Sequence, residues 1–124
     1  MKKLFKLTFI AIIGLAIGLS SCGKYPDGPK ISLLTKKARI TRVWQAADCP
    51  TCGTTEYVKN GSIVIAGGSI SITTGSTWAF SKDKTKLEIT SGAITSSTPI
   101  RRLTNKELWL EGSSSAVINK YIAK

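Results

Sequence analysis

The chain contains no histidine. That removes the side chain that most often acts as a general base near neutral pH. Acidic residues are scarce too, seven against 18 Lys and Arg, and they are not paired in a way that suits acid–base work. Cysteine is limited to Cys22, Cys49 and Cys52. A structural zinc site needs about four ligands, so two molecules would have to share one ion. No phosphate-binding glycine loop is present: Gly61, Gly67, Gly68 and Gly75 separate strand-like segments, and no helix follows them. Ser–Lys catalysis, whose members need not be sequence neighbours, is the one residual enzymatic option. The expectation is a protein that is not an enzyme and carries no cofactor and no metal.

Long hydrophobic runs are missing as well. The main apolar stretch covers residues 7–19, short of the roughly 20 residues that span a bilayer as a permanent helix. Gly14 and Gly18 weaken it further as a helix. Lys2, Lys3 and Lys6 precede it, and Ser20, Ser21 and Cys22 follow it. A positive start, a short apolar core and a small-residue cut site define a removable export signal. Leu19-Ser20-Ser21-Cys22 resembles the lipobox of bacterial lipoprotein precursors. That resemblance implies cleavage before Cys22, with a diacylglyceryl thioether and an acylated amine on the new terminus. Acyl burial is worth about 0.8 kcal/mol per methylene, so two or three chains would anchor the protein permanently. The membrane is then the first expected partner.

Removing the three signal lysines lowers the formal charge from +11 to +8. A basic excess suits nucleic acid, anionic lipid or acidic polysaccharide, but an exported lipoprotein rarely meets nucleic acid. Apart from Lys36, Lys37, Arg39 and Arg42, the basic residues are scattered along the chain. That cluster reads as a solvated face near the membrane, with lipid headgroup contact as the weaker option. Residues 22–30, rich in Pro and Gly, read as a lipidated tether. Its eight residues after Cys22 reach about 26 Å when extended and should let the domain swivel. The predicted organisation is a signal at 1–21, the tether at 22–30 and one domain at 31–124.

Within that domain, residues 31–39 suit a short helical turn and the rest reads as strands. These are expected at 41–48, 56–58, 62–66, 69–74, 77–81, 86–90, 98–103, 107–111 and 116–123. Gly67-Gly68 suits a tight hairpin turn. Short strands with short polar connections imply an antiparallel up-and-down meander. At this length it should curl into a small barrel or a folded-over sheet, because open edges invite aggregation. The fold class is therefore all-β, preceded by the signal helix and the helical turn.

Several motifs resemble the small lipocalin-like lipoproteins of Gram-negative bacteria. They are Cys22 with Tyr25-Pro26-Asp27-Gly28-Pro29, the segment from Ser32 to Arg39 before Trp44, Ser76-Thr77-Trp78-Ala79-Phe80, and the Ile100 to Leu108 hairpin. Arg42 departs from the family's usual Gly before the Trp, and the chain is shorter than a full ligand-carrying lipocalin. The resemblance implies a lipocalin-like barrel anchored at the outer membrane. Residues 23–26 carry no acid, unlike the acid-rich stretch after the Cys of many surface-displayed lipoproteins, so the periplasmic face is favoured, with the cell surface as the other option. It implies a small apolar or amphipathic ligand. The alternative is an accessory lipoprotein that contacts envelope proteins or glycans. Trp44, Trp78, Phe80, Leu87, Ile89 and Ile100 are the candidate pocket lining, although aromatic residues at strand spacing more often serve packing.

Cys49-Pro50-Thr51-Cys52 is the remaining motif. Redox pairs place the first Cys at a helix N-terminus, and no helix begins here. A disulfide suits an oxidising compartment and is the favoured reading over free thiols, redox activity and a shared metal. It should pin the loop after the first strand at the barrel mouth.

Overall fold

Alternation of apolar and polar residues, broken by short turns, gives the described residues eight strands and one short helix. The computed structural model describes residues 25–28 and 33–124. The predicted signal and Cys22 lie outside the described residues. Helix α1 spans Lys36–Ile40, and the strands are β1 Val43–Ala46, β2 Thr54–Tyr57, β3 Ser62–Gly67 and β4 Ile70–Phe80. They continue as β5 Lys86–Ser91, β6 Ile94–Leu103, β7 Glu107–Glu111 and β8 Ile118–Ala123. Each strand pairs antiparallel with the next, and β8 returns to β1 through Trp44–Ala123, Gln45–Ile122 and Ala46–Tyr121. The meander is therefore a closed barrel, in which every strand has a neighbour on both sides.

Two strands run longer than their hydrophobic pattern suggests. Residues 69–74 and 77–81 read as separate strands around Gly75, yet β4 is continuous through them. A register shift against β3 absorbs the irregularity, and the Thr74 hydroxyl donates to the Ile63 carbonyl at 3.0 Å within it. Strand β6 starts at Ile94, ahead of the expected residue 98. Its first residues, Ile-Thr-Ser-Ser, carry little apolar signal, and cross-strand pairing with β5 makes the strand. The hairpin expected at Gly67-Gly68 is present. Gly68, and Gly92 in the β5–β6 turn, have φ of 60° and 62°, and each opens a two-residue hairpin turn where primed turns favour glycine.

The core gathers Ile40, Trp44, Tyr57, Ile63, Trp78, Leu87, Ile100, Leu103, Leu108 and Leu110 inside the barrel. Both buried indoles are satisfied: Trp44 Nε1 donates to the Ile40 carbonyl and Trp78 Nε1 to the Val58 carbonyl, each at 2.8 Å. Tyr57, Trp78 and Phe80 meet edge to face at 5.8 and 5.7 Å, a geometry that adds to simple area burial.

One end of the barrel is plugged. Thr35 caps α1 by accepting from the Ala38 amide, and the helix buries Arg39 and Ile40. Arg39 donates from Nη1 to the Leu103 carbonyl at 2.6 Å, which gives its buried charge a partner. Tyr25 packs at the same end, and its hydroxyl donates to the Lys84 carbonyl at 3.0 Å. The Asp27 amide donates to the Arg101 carbonyl at 2.8 Å, and the Asp27 carboxylate pairs with the Arg101 guanidinium at 3.2 Å. Arg102 donates to the Asp27 carbonyl at 2.7 Å. Residues 25–28, expected to swivel as part of a tether, are instead fastened to the barrel. The solvent-screened ion pair contributes little alone; burial of Tyr25 and the backbone bonds carry more.

Burial raises two phenols, Tyr25 and Tyr57, to about pKa 12; for Tyr57 the neighbouring Tyr121 adds to the effect. The unfolded chain ionises its tyrosines at about pH 10, so these phenols contribute stability that is complete below that pH and is lost as pH rises toward 12. Phenolate absorbance should lag behind that of free tyrosine until the circular dichroism signal collapses, and Tyr57→Phe should shallow the alkaline loss of stability. Full ionisation of both phenols near pH 10 in a folded barrel would refute this.

Candidate functional site

An up-and-down barrel sends alternate connections to opposite ends. The β1–β2, β3–β4, β5–β6 and β7–β8 connections leave at the end opposite α1. The side chains there follow from the register. Residues two apart share a face of a strand, so Ile65 lies on the face of buried Ile63, and Ile72 stands opposite Ile65. Ile70 shares the face of Ile72. Ile94 lies on the face of buried Ile100, opposite Ser91. All four isoleucines are thus on the inner face of the barrel wall, yet they are 51–74% exposed. The β3–β4 and β5–β6 hairpins carry this inner face beyond the packed core, where it meets water. The outward positions on β4 here, Ser71 and Thr73, are polar.

The β1–β2 connection stands at the same end. Cys49 and Cys52 form a disulfide across a Cα separation of 5.4 Å, in the loop after the first strand as expected. Buried Gln45 reaches from β1 and donates through Nε2 to the Pro50 carbonyl, which ties this loop to the wall. Beside it a crevice of about 450 Å³ opens at the β1–β8 seam, lined by Ala46, Asp48, Ile118, Asn119 and Tyr121 among others. Its walls mix aliphatic carbon with an amide, a carboxylate, a phenol and Lys120, a surface suited to an amphipathic molecule.

The six residues singled out from sequence sit deeper. Trp44, Trp78, Leu87 and Ile100 are buried in the core, and Phe80 and Ile89 pack against it. The structure brings them together, but as packing partners of one another. Ile65, Ile70, Ile72 and Ile94 were not among the sequence candidates. The signal was present in Ser69-Ile70-Ser71-Ile72-Thr73, where apolar side chains alternate toward one face, but alternation cannot say whether that face is covered. Among the described residues, no three Cys, Asp or Glu side chains converge as a metal site.

Comparison with protein families, with curated proteins and with solved structures finds no match to this chain.

The disulfide closes only a four-residue loop, so chain entropy gives it about 2 kcal/mol at most. Thiol titration of unreduced protein should find neither Cys49 nor Cys52 reactive. Replacing both by Ser should lower stability to urea by no more than about 2 kcal/mol, with the barrel retained. Two reactive thiols before reduction would refute the bridge.

Proposed function

We propose that this protein is a lipid-anchored envelope lipoprotein whose lipocalin-like barrel holds a small apolar or amphipathic ligand at its open end. The observation that carries this reading is the exposed inner face formed by Ile65, Ile70, Ile72 and Ile94. Apolar side chains that face inward and remain wet gain about 25 cal/mol for each Å² covered, and a ligand lying between the two hairpins covers them. The nearby seam crevice offers the Asn119 amide and the Tyr121 hydroxyl to a polar head. The role is binding and carriage, without chemistry on the ligand. Cys22 carries the acyl anchor, as the lipobox resemblance implies, and the acid-free residues 23–26 favour the periplasmic side of the outer membrane.

The ligand site in this reading is shallow. Trp44, Trp78 and Leu87 already fill the interior below the isoleucines, so a ligand rests on that floor. The filled core favours one second reading, in which the isoleucine rim grips a protein of the envelope and the protein is an accessory lipoprotein.

Native mass spectrometry of the full chain purified from its host separates the two. Carriage predicts a reproducible small co-purifying mass. It further predicts that Ile72→Lys and Ile94→Lys each weaken binding of a naphthylamine fluorescent probe about tenfold or more, the scale set by burying one aliphatic side chain. Both positions are exposed, so the barrel should be preserved. Unchanged probe affinity in both variants, with no co-purifying mass, would sink carriage and leave the accessory reading.

A further inference from the structure

We propose that the α1 end of the barrel is a docking surface for an anionic phospholipid leaflet. The barrel stands on its plugged end and holds the isoleucine-lined end in water. This inference is independent of what the open end binds.

The basic residues look scattered in sequence, but the topology collects them. Helix α1, the β2–β3, β4–β5 and β6–β7 connections and the C-terminus all lie at the plugged end. They carry Lys37, Lys59, Lys82, Lys84, Lys106 and Lys124, every one exposed. Local contacts tie these segments into one surface. Lys37 and Lys59 flank the same crevice of about 250 Å³. The Lys84 carbonyl receives the Tyr25 hydroxyl at 3.0 Å. The Lys106 carbonyl receives the Ala123 amide at 2.8 Å, and the Lys124 amide donates to Val43 at 3.0 Å. Lys120 stands apart from these turns, in the middle of β8 opposite Trp109, and its ammonium lies over the Trp109 ring at 4.3 Å.

The acids of the plugged end cancel only part of this charge. Asp27 is paired with Arg101 and Glu107 with Arg102, and Asp83, which accepts from the Ser81 and Thr85 hydroxyls, offsets one of the six lysines. The lysines of the turns are left to face outward together. Each lysine held near an anionic leaflet strengthens binding about fivefold, and the attraction acts within about 8–10 Å of the surface.

The chain's own entry point selects a membrane as the occupant. Tyr25 and Asp27 are fixed at the plugged end by the bonds to Lys84 and Arg101. Cys22 precedes Tyr25 by three residues, which reach no more than about 11 Å by any path. An acyl anchor on Cys22 therefore brings this face, and no other, against the leaflet; that step rests on the lipid-anchor reading, whereas the charge placement does not.

The full chain, purified from membranes, is reconstituted with vesicles of phosphatidylcholine alone or of equimolar phosphatidylcholine and phosphatidylglycerol. Bound protein is recovered by flotation and treated with a membrane-impermeant acylating ester, and modified lysines are read by mass spectrometry. On the anionic vesicles Lys59, Lys82, Lys84 and Lys106 should react about fivefold more slowly than on phosphatidylcholine, while Lys120 reacts equally on both. The difference should vanish at about 1 M salt, where the screening length is about 3 Å. In a variant carrying Lys59→Glu, Lys82→Glu, Lys84→Glu and Lys106→Glu, the same protection should disappear at Lys37 and Lys124. Failure to float with anionic vesicles, equal reactivity on both vesicle types, or protection of Lys120 in place of the turn lysines would overturn the proposal. Naphthylamine binding by the same preparations reports separately on the open end.

Discussion

Strand β1 is hydrogen-bonded on both sides, to β2 and to β8, and the rest of the molecule depends on that closure. Four residues of β1 carry it. Trp44 fills the interior from this strand and Gln45 holds the disulfide loop. Closure turns a row of short strands into a tube with an inside, an outside and two ends. It also fixes which connections share an end, because consecutive antiparallel strands alternate direction.

The two ends are then built differently. At one end α1, Tyr25 and the Arg101–Asp27 pair cover the core, and the Arg101 guanidinium is held more firmly protonated by its hydrogen bonds to Asp27 and Glu111. At the other end the β3–β4 and β5–β6 hairpins overshoot the packed core and expose inner-face isoleucines. Burial explains the first end without further assumption. The second has no equivalent cover among the described residues, and covering it is the physical rationale for an apolar ligand. A plugged end beside the proposed acyl anchor and an open end in water would suit the proposed envelope carrier.

Much of the architecture was legible in the sequence because it rests on local signals. The β7 segment Glu107–Glu111 alternates clearly, Gly67-Gly68 marks its hairpin, and the spacing of Cys49 and Cys52 suits a local bridge. What was not legible depends on distant partners. Tyr25-Pro26-Asp27-Gly28 has the composition of a free tether, but its Asp27 meets Arg101, 74 residues away. Thr95, Ser96 and Ser97 of β6 are polar and become strand by pairing with β5. Lys59, Lys82 and Lys106 look unrelated until antiparallel order brings their turns to one end. The placement of the candidate residues has a related reason. Aromatic bulk marked Trp44 and Trp78, which are core, whereas Ile70 and Ile94 differ from core only in having nothing above them.

The wet inner face of the two hairpins is the proposed binding surface, and the interior beneath it is filled. Isoleucine methyl NMR addresses this directly, because the chain carries isoleucines in both places. On titration with decanoate as the amphipathic probe, the methyls of Ile65, Ile70, Ile72 and Ile94 should shift together, with those of Ile40, Ile63 and Ile100 left in place. Shifts centred on Ile63 and Ile100, or no response from the hairpin methyls at saturating probe, would contradict it.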